Sequence, residues 1–166
     1  ATDDSAISFS TKKLGEEIIP VAKLSDHKQD AILHNYYTTK LLERLLQRIS
    51  TETGLSSNEL IVIHYLSCFP NSNVTKDMSL FTDINQFLLV PLLEKLVFNE
   101  YVTRVKSSDF ETYYSLTQKA KSITKQLNQL TQDFDSIRFA GIEPSTQKLL
   151  QSTEETIYEN IRQKLT

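Results

Sequence analysis

Two short runs of β-branched and aromatic residues constrain the fold of this chain more than any other feature. Residues 101–106 (YVTRVK) and 111–116 (ETYYSL) have the composition of β-strands. Between them lie Ser107, Ser108 and Asp109, which are typical of a turn. The two runs predict a single antiparallel hairpin in a chain whose remaining segments have helical periodicity.

The first helix is predicted to begin at Asp26, with Gln29 as its capping-box partner, and to end at Gly54. Adjacent pairs of apolar residues recur at almost every turn of this segment. A helix with so wide an apolar stripe has to be covered on more than one side. Residues 1–25 before it form an extension that we expect to be partly ordered at best, because Pro20 interrupts its short apolar face.

A second helix is predicted to start at a capping box formed by Ser56 and Glu59. It should end at Phe69 and Pro70, and a turn should follow at residues 71–73. Both boundaries of this helix are therefore predicted from the residues at its two ends.

Two more helices are predicted before the hairpin. Val74 and Thr75 have the pattern of a very short strand, followed by a short helix over residues 76–81. Thr82 or Asp83 is expected to cap the next helix, which leads into the hairpin.

Two helices are predicted after the hairpin. Thr117 should cap a long one that ends at Gly141, and Pro144 suits the first turn of the last one. The whole order is helix, helix, short helix, helix, hairpin, helix, helix. Two helices joined by a tight turn and followed by a hairpin indicate a mainly α fold built on a winged helix-turn-helix.

From Asp26 onward the chain resembles the MarR family of bacterial transcriptional regulators. The resemblance covers about four-fifths of the chain and depends on several stretches in the right order. They are residues 55–66 (LSSNELIVIHYL), 74–78 (VTKDM), 92–104 (LLEKLVFNEYVTR), 114–120 (YSLTQKA) and 138–144 (RFAGIEP).

The resemblance implies a homodimer that presents two winged domains to a pseudo-palindromic duplex DNA site. The apolar stripes at both chain ends are compatible with this, since surplus apolar helix surface is what a dimer interface needs; packing within one chain is the alternative. The implied organisation is an N-terminal extension (1–25), a dimerisation helix (26–54), a winged helix-turn-helix region (55–116) and C-terminal dimerisation helices (117–166).

Candidate DNA-binding residues lie at helix starts and around the hairpin. Asn and Gln side chains suit base edges, and helix starts and basic side chains suit phosphates. Some of these residues are equally explained as helix caps or solvated charges. The candidates are Thr75, Lys76, Thr82, Asn85, Gln86, Arg104, Lys106 and Ser107.

The chain departs from the family where DNA should be read. Phe87, Leu88, Val90 and Pro91 occupy positions where the family usually has Ser, Thr and Arg, and residues 109–111 (DFE) lack the family's wing arginines. Such apolar residues can contact thymine methyl groups, although with little specificity. The net charge of −3 means that any affinity for DNA requires a local basic patch. We therefore expect DNA binding that is weaker or more salt-sensitive than that of a typical family member.

The alternative to a DNA-binding regulator is a winged-helix protein that acts through protein–protein contacts. Exposure of Phe87, Leu88 and Val90 favours that alternative. Their burial beside an electropositive face containing Asn85, Gln86 and Arg104 favours the regulator. The named side chains therefore separate the two hypotheses.

The resemblance implies an effector pocket for a small aromatic ligand, and its predicted residues are His34, Tyr36, Tyr37 and Tyr65. The alternative is that these four side chains belong to the core and to the dimer interface. His64 and Cys68 have a spacing that can bind metal, but without further ligands we expect a buried His and a small apolar Cys. Neither cofactor nor catalytic constellation is predicted.

Composition sets the remaining limits. The chain is 39% apolar and 23% charged, which is typical of a soluble globular protein, and it has no apolar run long enough to span a bilayer. One cysteine, Cys68, excludes an intrachain disulfide and fits the reducing cytoplasm. We expect a cytoplasmic, non-enzymatic protein.

Overall fold

The structure, a computed structural model, describes residues 11–14, 17–20, 28–70, 74–109 and 111–165. The expected turn at residues 71–73 lies outside these ranges, as do most of the N-terminal extension, Asp26 and Phe110. None of the described helices is both long and apolar enough to cross a membrane.

A small hairpin near the N-terminus is the first described element. Strand β1 (Thr11–Leu14) pairs antiparallel with β2 (Glu17–Pro20), so that Thr11 faces Pro20. Pro20 is tolerated there because it sits at the end of a two-stranded ladder. The sequence pattern did not indicate this hairpin.

Helix α1 (Ala31–Thr53) begins later than predicted. Its N-cap is Asp30, whose Oδ1 accepts a hydrogen bond from the Leu33 amide at 2.9 Å. The Asp26–Gln29 capping box is therefore wrong, because Gln29 lies in a turn before the helix. The predicted end is confirmed: Gly54 adopts φ +74 and donates its amide to the Ser50 carbonyl.

Helix α2 (Ser57–Cys68) has both hydrogen bonds of the predicted capping box between Ser56 and Glu59. Helix α3 (Thr75–Thr82) follows with Val74 as its N-cap, so the predicted strand at residues 74–75 is wrong. The helix begins at Thr75, one residue before the predicted start at Lys76.

Helix α4 (Gln86–Phe98) is capped by Asn85, so the prediction that Thr82 or Asp83 caps it is wrong. Thr82 is the last residue of α3 and donates its hydroxyl to the Met78 carbonyl at 2.6 Å. Asp83 adopts the left-handed conformation, with φ 58, that ends α3.

The predicted hairpin is present as β3 (Val102–Lys106) and β4 (Thr112–Leu116), with Val102 opposite Leu116. It is followed by a 3₁₀ turn (Gln118–Ala120) and then by α5 (Lys121–Arg138). Thr117 does not cap α5 as predicted. Its hydroxyl instead donates to the Glu100 carbonyl at 2.6 Å, tying the exit of β4 to the entry of β3.

The chain divides into two compact units at residue 127. In the first unit α2 packs against α1, α3, α4 and β4, and α4 packs against α3 and β3. Apolar side chains from three helices form its core and have no solvent exposure. They include Leu60, Ile63, Met78, Leu89, Leu93 and Leu96.

The second unit contains the end of α5 and helix α6 (Pro144–Leu165). Helix α5 ends at Arg138, three residues before the predicted end at Gly141, which lies with φ +78 in the turn that follows. Pro144 is the first residue of α6, as predicted. Arg138 on α5 forms ion pairs with Asp135 and with Glu154 on α6. These contacts join the two helices of this unit.

Candidate nucleic-acid interface

Helix α4 is oriented by its apolar inner face. Leu89, Leu93 and Leu96 are completely buried against the rest of the winged unit. The spacing of these residues turns the intervening positions toward solvent. Asn85 fixes the start of the helix, because its Oδ1 accepts a hydrogen bond from the Phe87 amide at 2.8 Å.

The outer surface of the first two turns of α4 is apolar. Phe87 is 87% exposed, Leu88 66% and Val90 45%, and Gln86 beside them is exposed as well. We call these four residues the recognition face. Pro91 lies within the helix.

A buried carboxylate anchors α4 to α2. Glu59 is almost completely buried, and its Oε2 accepts a hydrogen bond from the Ser56 amide at 2.6 Å. Its other oxygen, Oε1, lies 3.0 Å from Lys95 Nζ on α4. That contact has the distance of an ion pair, although its angles are not those of a hydrogen bond. Lys95 is therefore held near α2.

The wing is tied to α4 by a second ion pair. Arg104 Nη1 on β3 lies 3.1 Å from Glu94 Oε1 on α4, and both side chains are partly exposed. Burial raises the pKa of Tyr114 on β4; Glu94 raises it further, and Arg104 opposes that shift. Arg104 therefore faces α4 rather than standing free at the hairpin.

The winged unit carries no excess of positive charge from residue 55 to its end. Residues 55–127 contain seven basic and seven acidic residues. One of the basic residues, Lys119, donates to the Asn99 carbonyl at 2.8 Å and lies 4.6 Å from the centre of the Tyr101 ring. Lys76 and Lys106 are exposed and form no ion pair with any residue that the structure describes.

The predicted DNA-binding residues are spread over three neighbouring elements. Thr75 and Lys76 form the first turn of α3, while Asn85 and Gln86 start α4. Because α3 and β3 both pack against α4, these residues and the wing belong to one packed assembly. The positions are compatible with a common surface.

Several of these side chains also have local structural partners. Thr82 is occupied by its bond to Met78, and Asn85 by its cap. Ser107 accepts a hydrogen bond from the Asp109 amide at 3.2 Å within the hairpin turn. Gln86, Lys76 and Lys106 are exposed, which leaves their polar ends accessible to solvent.

Two ion pairs that shape this surface were not predicted from the sequence. Glu94 neutralises Arg104, and Glu59 holds Lys95. Glu59 has a local signal, since it belongs to the predicted capping box, but that signal does not indicate a partner on another helix. Glu94 has no comparable signal.

The four predicted effector residues lie on two helices. Tyr36 and Tyr37 on α1 make an edge-to-face contact with ring centres 5.3 Å apart, and His34 is exposed on the same helix. Tyr65 on α2 is 3% exposed and packs against Phe69 and Phe81, both with ring centres at 5.2 Å.

Two cavities of the winged unit are lined by other residues. One of about 570 Å³ lies at the base of the wing, between Val97, Arg104 and Lys119. Another of about 430 Å³ lies between the end of α2, β4 and the start of α5. The effector site remains a prediction.

His64 and Cys68 lie close together on α2, with Nε2 and Sγ 3.5 Å apart. Burial lowers the pKa of His64, although its side chain is only partly buried, and Cys68 is exposed. The expectation of a buried His is therefore met only in part. No cluster of three or more potential metal ligands occurs among the residues that the structure describes.

The exposure of the recognition face bears directly on the two functional hypotheses. Phe87, Leu88 and Val90 are all exposed, which is the outcome expected for a protein-interaction surface. The pairing of Arg104 with Glu94 also reduces any electropositive face. Taken by themselves, these two findings favour the protein-interaction alternative.

Comparison with known proteins identifies the fold. No family model and no curated protein matches the sequence. Solved structures do match. A MarR family transcriptional regulator from Silicibacter pomeroyi is 19% identical with a TM-score of 0.67, over 86% of this chain and 97% of that one.

Two further structures are similar. A putative MarR family transcriptional regulator from Listeria monocytogenes, complexed with 26-mer DNA, is 12% identical with a TM-score of 0.69, over 82% of this chain and 92% of that one. The reduced form of MarR from E. coli is 17% identical with a TM-score of 0.60, over 85% and 98%. The chain therefore has the winged-helix fold of the MarR-type transcriptional regulators.

Proposed function

We propose that this chain is a non-enzymatic, cytoplasmic transcriptional regulator that binds a pseudo-palindromic duplex DNA site as a homodimer. The observation that carries the proposal is the accessible α4 beside the wing, in a fold that a similar Listeria protein has in complex with DNA. In a winged helix-turn-helix, this helix enters the major groove.

Homodimerisation is supported by the apolar helix surfaces at the two ends of the chain. Helix α6 has no buried residue, although it carries several large apolar side chains that are 50–82% exposed. On α1, Ile32 is 82% and Tyr36 53% exposed. Apolar surface of this extent on a helix favours a second copy as its cover.

Selection from a random-sequence duplex pool tests the proposal. The purified protein is mixed with the pool at low salt, and bound duplexes are enriched, sequenced and titrated by fluorescence anisotropy. We expect an inverted repeat whose half-sites lie about one helical turn apart, bound by two chains. The salt slope scales with the number of phosphates neutralised, and few cations are available, so we expect a shallow dependence of affinity on salt in place of the greater salt sensitivity expected from the sequence.

A second candidate function is an interaction protein whose winged surface binds another protein. The exposed recognition face and the balanced charge of residues 55–127 favour it. For this candidate we expect no enrichment of any duplex, even at low salt. The same selection therefore separates the two functions.

A further inference from the structure

We infer that the recognition face reads thymine methyl groups, so that the half-sites present A·T pairs, rather than guanines, to α4. This inference rests on the proposed DNA-binding function. It follows from the side chains that this chain exposes on α4.

The first step is the match between two apolar surfaces. Phe87, Leu88 and Val90 point into solvent from the first two turns of α4. In the major groove, the thymine C5-methyl is the apolar group that a base pair offers. Contact between the two removes apolar surface from water on both sides of the interface, which is favourable.

The second step concerns the polar side chains of α4. Gln86 is exposed, and a Gln carboxamide can form two hydrogen bonds to adenine N6 and N7. Guanine is usually recognised by Arg or Lys. The one basic residue of α4 is Lys95, which is held by the buried Glu59, and Arg104 on the wing is paired with Glu94.

The third step is the presence of two accessible cations on elements next to the apolar surface. Lys76 is exposed on α3 and Lys106 on β3, and both elements pack against α4. Two cations on elements next to an apolar helix face suit DNA, whose major groove has phosphates along both edges.

The test removes the methyl groups and nothing else. Thymines of the selected duplex are replaced one at a time by deoxyuridine, and affinity is measured by anisotropy. We expect about a fourfold loss of affinity for each contacted thymine, the effect of removing one buried methyl group. Replacement of thymines that do not face α4 should leave affinity unchanged.

Matched variants assign the effect to the recognition face. Phe87→Ala should reduce the loss caused by deoxyuridine, whereas Phe98→Ala should retain it. Phe98 is 85% exposed at the opposite end of the same helix, so the two variants remove the same side chain at equal exposure. If circular dichroism shows that Phe87→Ala does not fold, Leu88→Ala replaces it and should likewise reduce the loss caused by deoxyuridine.

The possible outcomes are distinct. Equal affinity for thymine and deoxyuridine duplexes, or equal behaviour of the Phe87 and Phe98 variants, overturns the inference while DNA binding stands. Failure to bind any duplex at low salt overturns the proposed function and, with it, this inference. That last result agrees with a protein partner for the recognition face.

Discussion

Arg104 on the wing is paired with Glu94 on α4, with Nη1 and Oε1 separated by 3.1 Å. The pair joins the two elements through which a winged helix meets DNA. It also neutralises the arginine that stands nearest to α4. Both side chains are partly exposed, so the pair contributes little to stability, on the order of 0–1 kcal/mol.

Removing the carboxylate should release this arginine. We expect Glu94→Gln to increase affinity for the selected duplex severalfold at low salt, because Arg104 becomes available to a phosphate. The salt dependence should steepen by about 0.9 for each phosphate gained. Anisotropy titrations over a salt series provide both numbers.

A control separates this local effect from overall charge. Glu155→Gln makes the same charge change on the exposed surface of α6 in the second unit. Its affinity and salt slope should remain close to those of the unmodified protein. Equal gains for both variants would mean that Arg104 is not the responsible group.

Asp83 offers a second charge beside the start of α4. It is exposed and adopts φ 58, a conformation that Asn also tolerates. Asp83→Asn should therefore tighten DNA binding at low salt, while the free energy of unfolding changes by about 0.5 kcal/mol or less. Binding and urea unfolding are measured on the same preparation.

Asp83→Ala separates the backbone from the charge. It removes the same charge but places a residue that disfavours positive φ, at a cost of about 1–2 kcal/mol in the free energy of unfolding. Affinity should rise as in the Asn variant. If affinity is unchanged in both variants, Asp83 does not face DNA.

The Glu59 carboxylate is predicted to hold α2 and α4 together. Glu59→Ala removes the capping hydrogen bond and the partner of Lys95, so we expect a loss of about 2 kcal/mol in the free energy of unfolding. Glu59→Gln keeps an acceptor for the Ser56 amide and should lose less. Urea denaturation followed by circular dichroism measures both variants.

Asn58 lies next to Glu59 on α2 and provides the control. Asn58 is exposed, so Asn58→Ala should change stability by about 0.5 kcal/mol or less. The prediction fails if Glu59→Ala is no more destabilising than Asn58→Ala.

Elements with local chemical signals could be predicted from the sequence. The capping box of Ser56 and Glu59, the left-handed glycines Gly54 and Gly141, and Pro144 all lie where their types require. Each is determined by the backbone within one helical turn. This is why the order of the elements, and hence the fold, followed from sequence.

Helix starts were wrong where several capping residues compete. Thr82, Asp83 and Asn85 all have side chains able to cap α4, and Asn85 does so in the structure. The choice depends on where Ile84 is buried, which is a property of tertiary packing. The same competition displaced the start of α1 from Asp26 to Asp30.

Electrostatic pairing at the candidate interface was beyond sequence analysis. Glu59 and Lys95, like Glu94 and Arg104, belong to different elements that meet only after folding. Periodicity gives no signal for such contacts. The DNA-binding hypothesis depends on which basic side chains are paired with carboxylates. Only the structure shows this pairing.

His64 should make stability depend on pH. Burial lowers its pKa in the folded state below the usual 6.5, so the unfolded chain binds a proton more readily. The stabilising effect of the neutral imidazole is therefore full above about pH 6.5 and is lost as the pH falls below it. Urea unfolding at pH 7.5 and 5.5 should show lower stability at the acidic pH.

The His64→Gln variant isolates this contribution, because Gln does not titrate in that range. The loss of stability between pH 7.5 and 5.5 should be smaller in the variant. His34→Gln, on the exposed surface of α1, should retain the full loss. Identical pH dependence in all three proteins would exclude His64 as the source.

The apolar surface of α6 is predicted to hold the dimer. Ile157 is 50% and Ile161 54% exposed, and they are one turn apart on the same side of the helix. Ile157→Asp places a charge on this surface. Because a two-fold interface uses the same surface of both subunits, a dimer would carry this charge twice. We expect the dimer dissociation constant to rise at least about thirtyfold, as for an interface residue worth 2 kcal/mol or more.

Thr156→Asp is the matched control, since it introduces the same charge on the neighbouring exposed residue. Sedimentation velocity over a range of concentrations should find that variant dimeric and Ile157→Asp monomeric. Because two half-sites must be bound together, Ile157→Asp should also lose affinity for the inverted repeat but not for an isolated half-site. An unmodified protein that remains monomeric at every concentration contradicts the dimer, and binding to a half-site would then have to be achieved by a single winged unit.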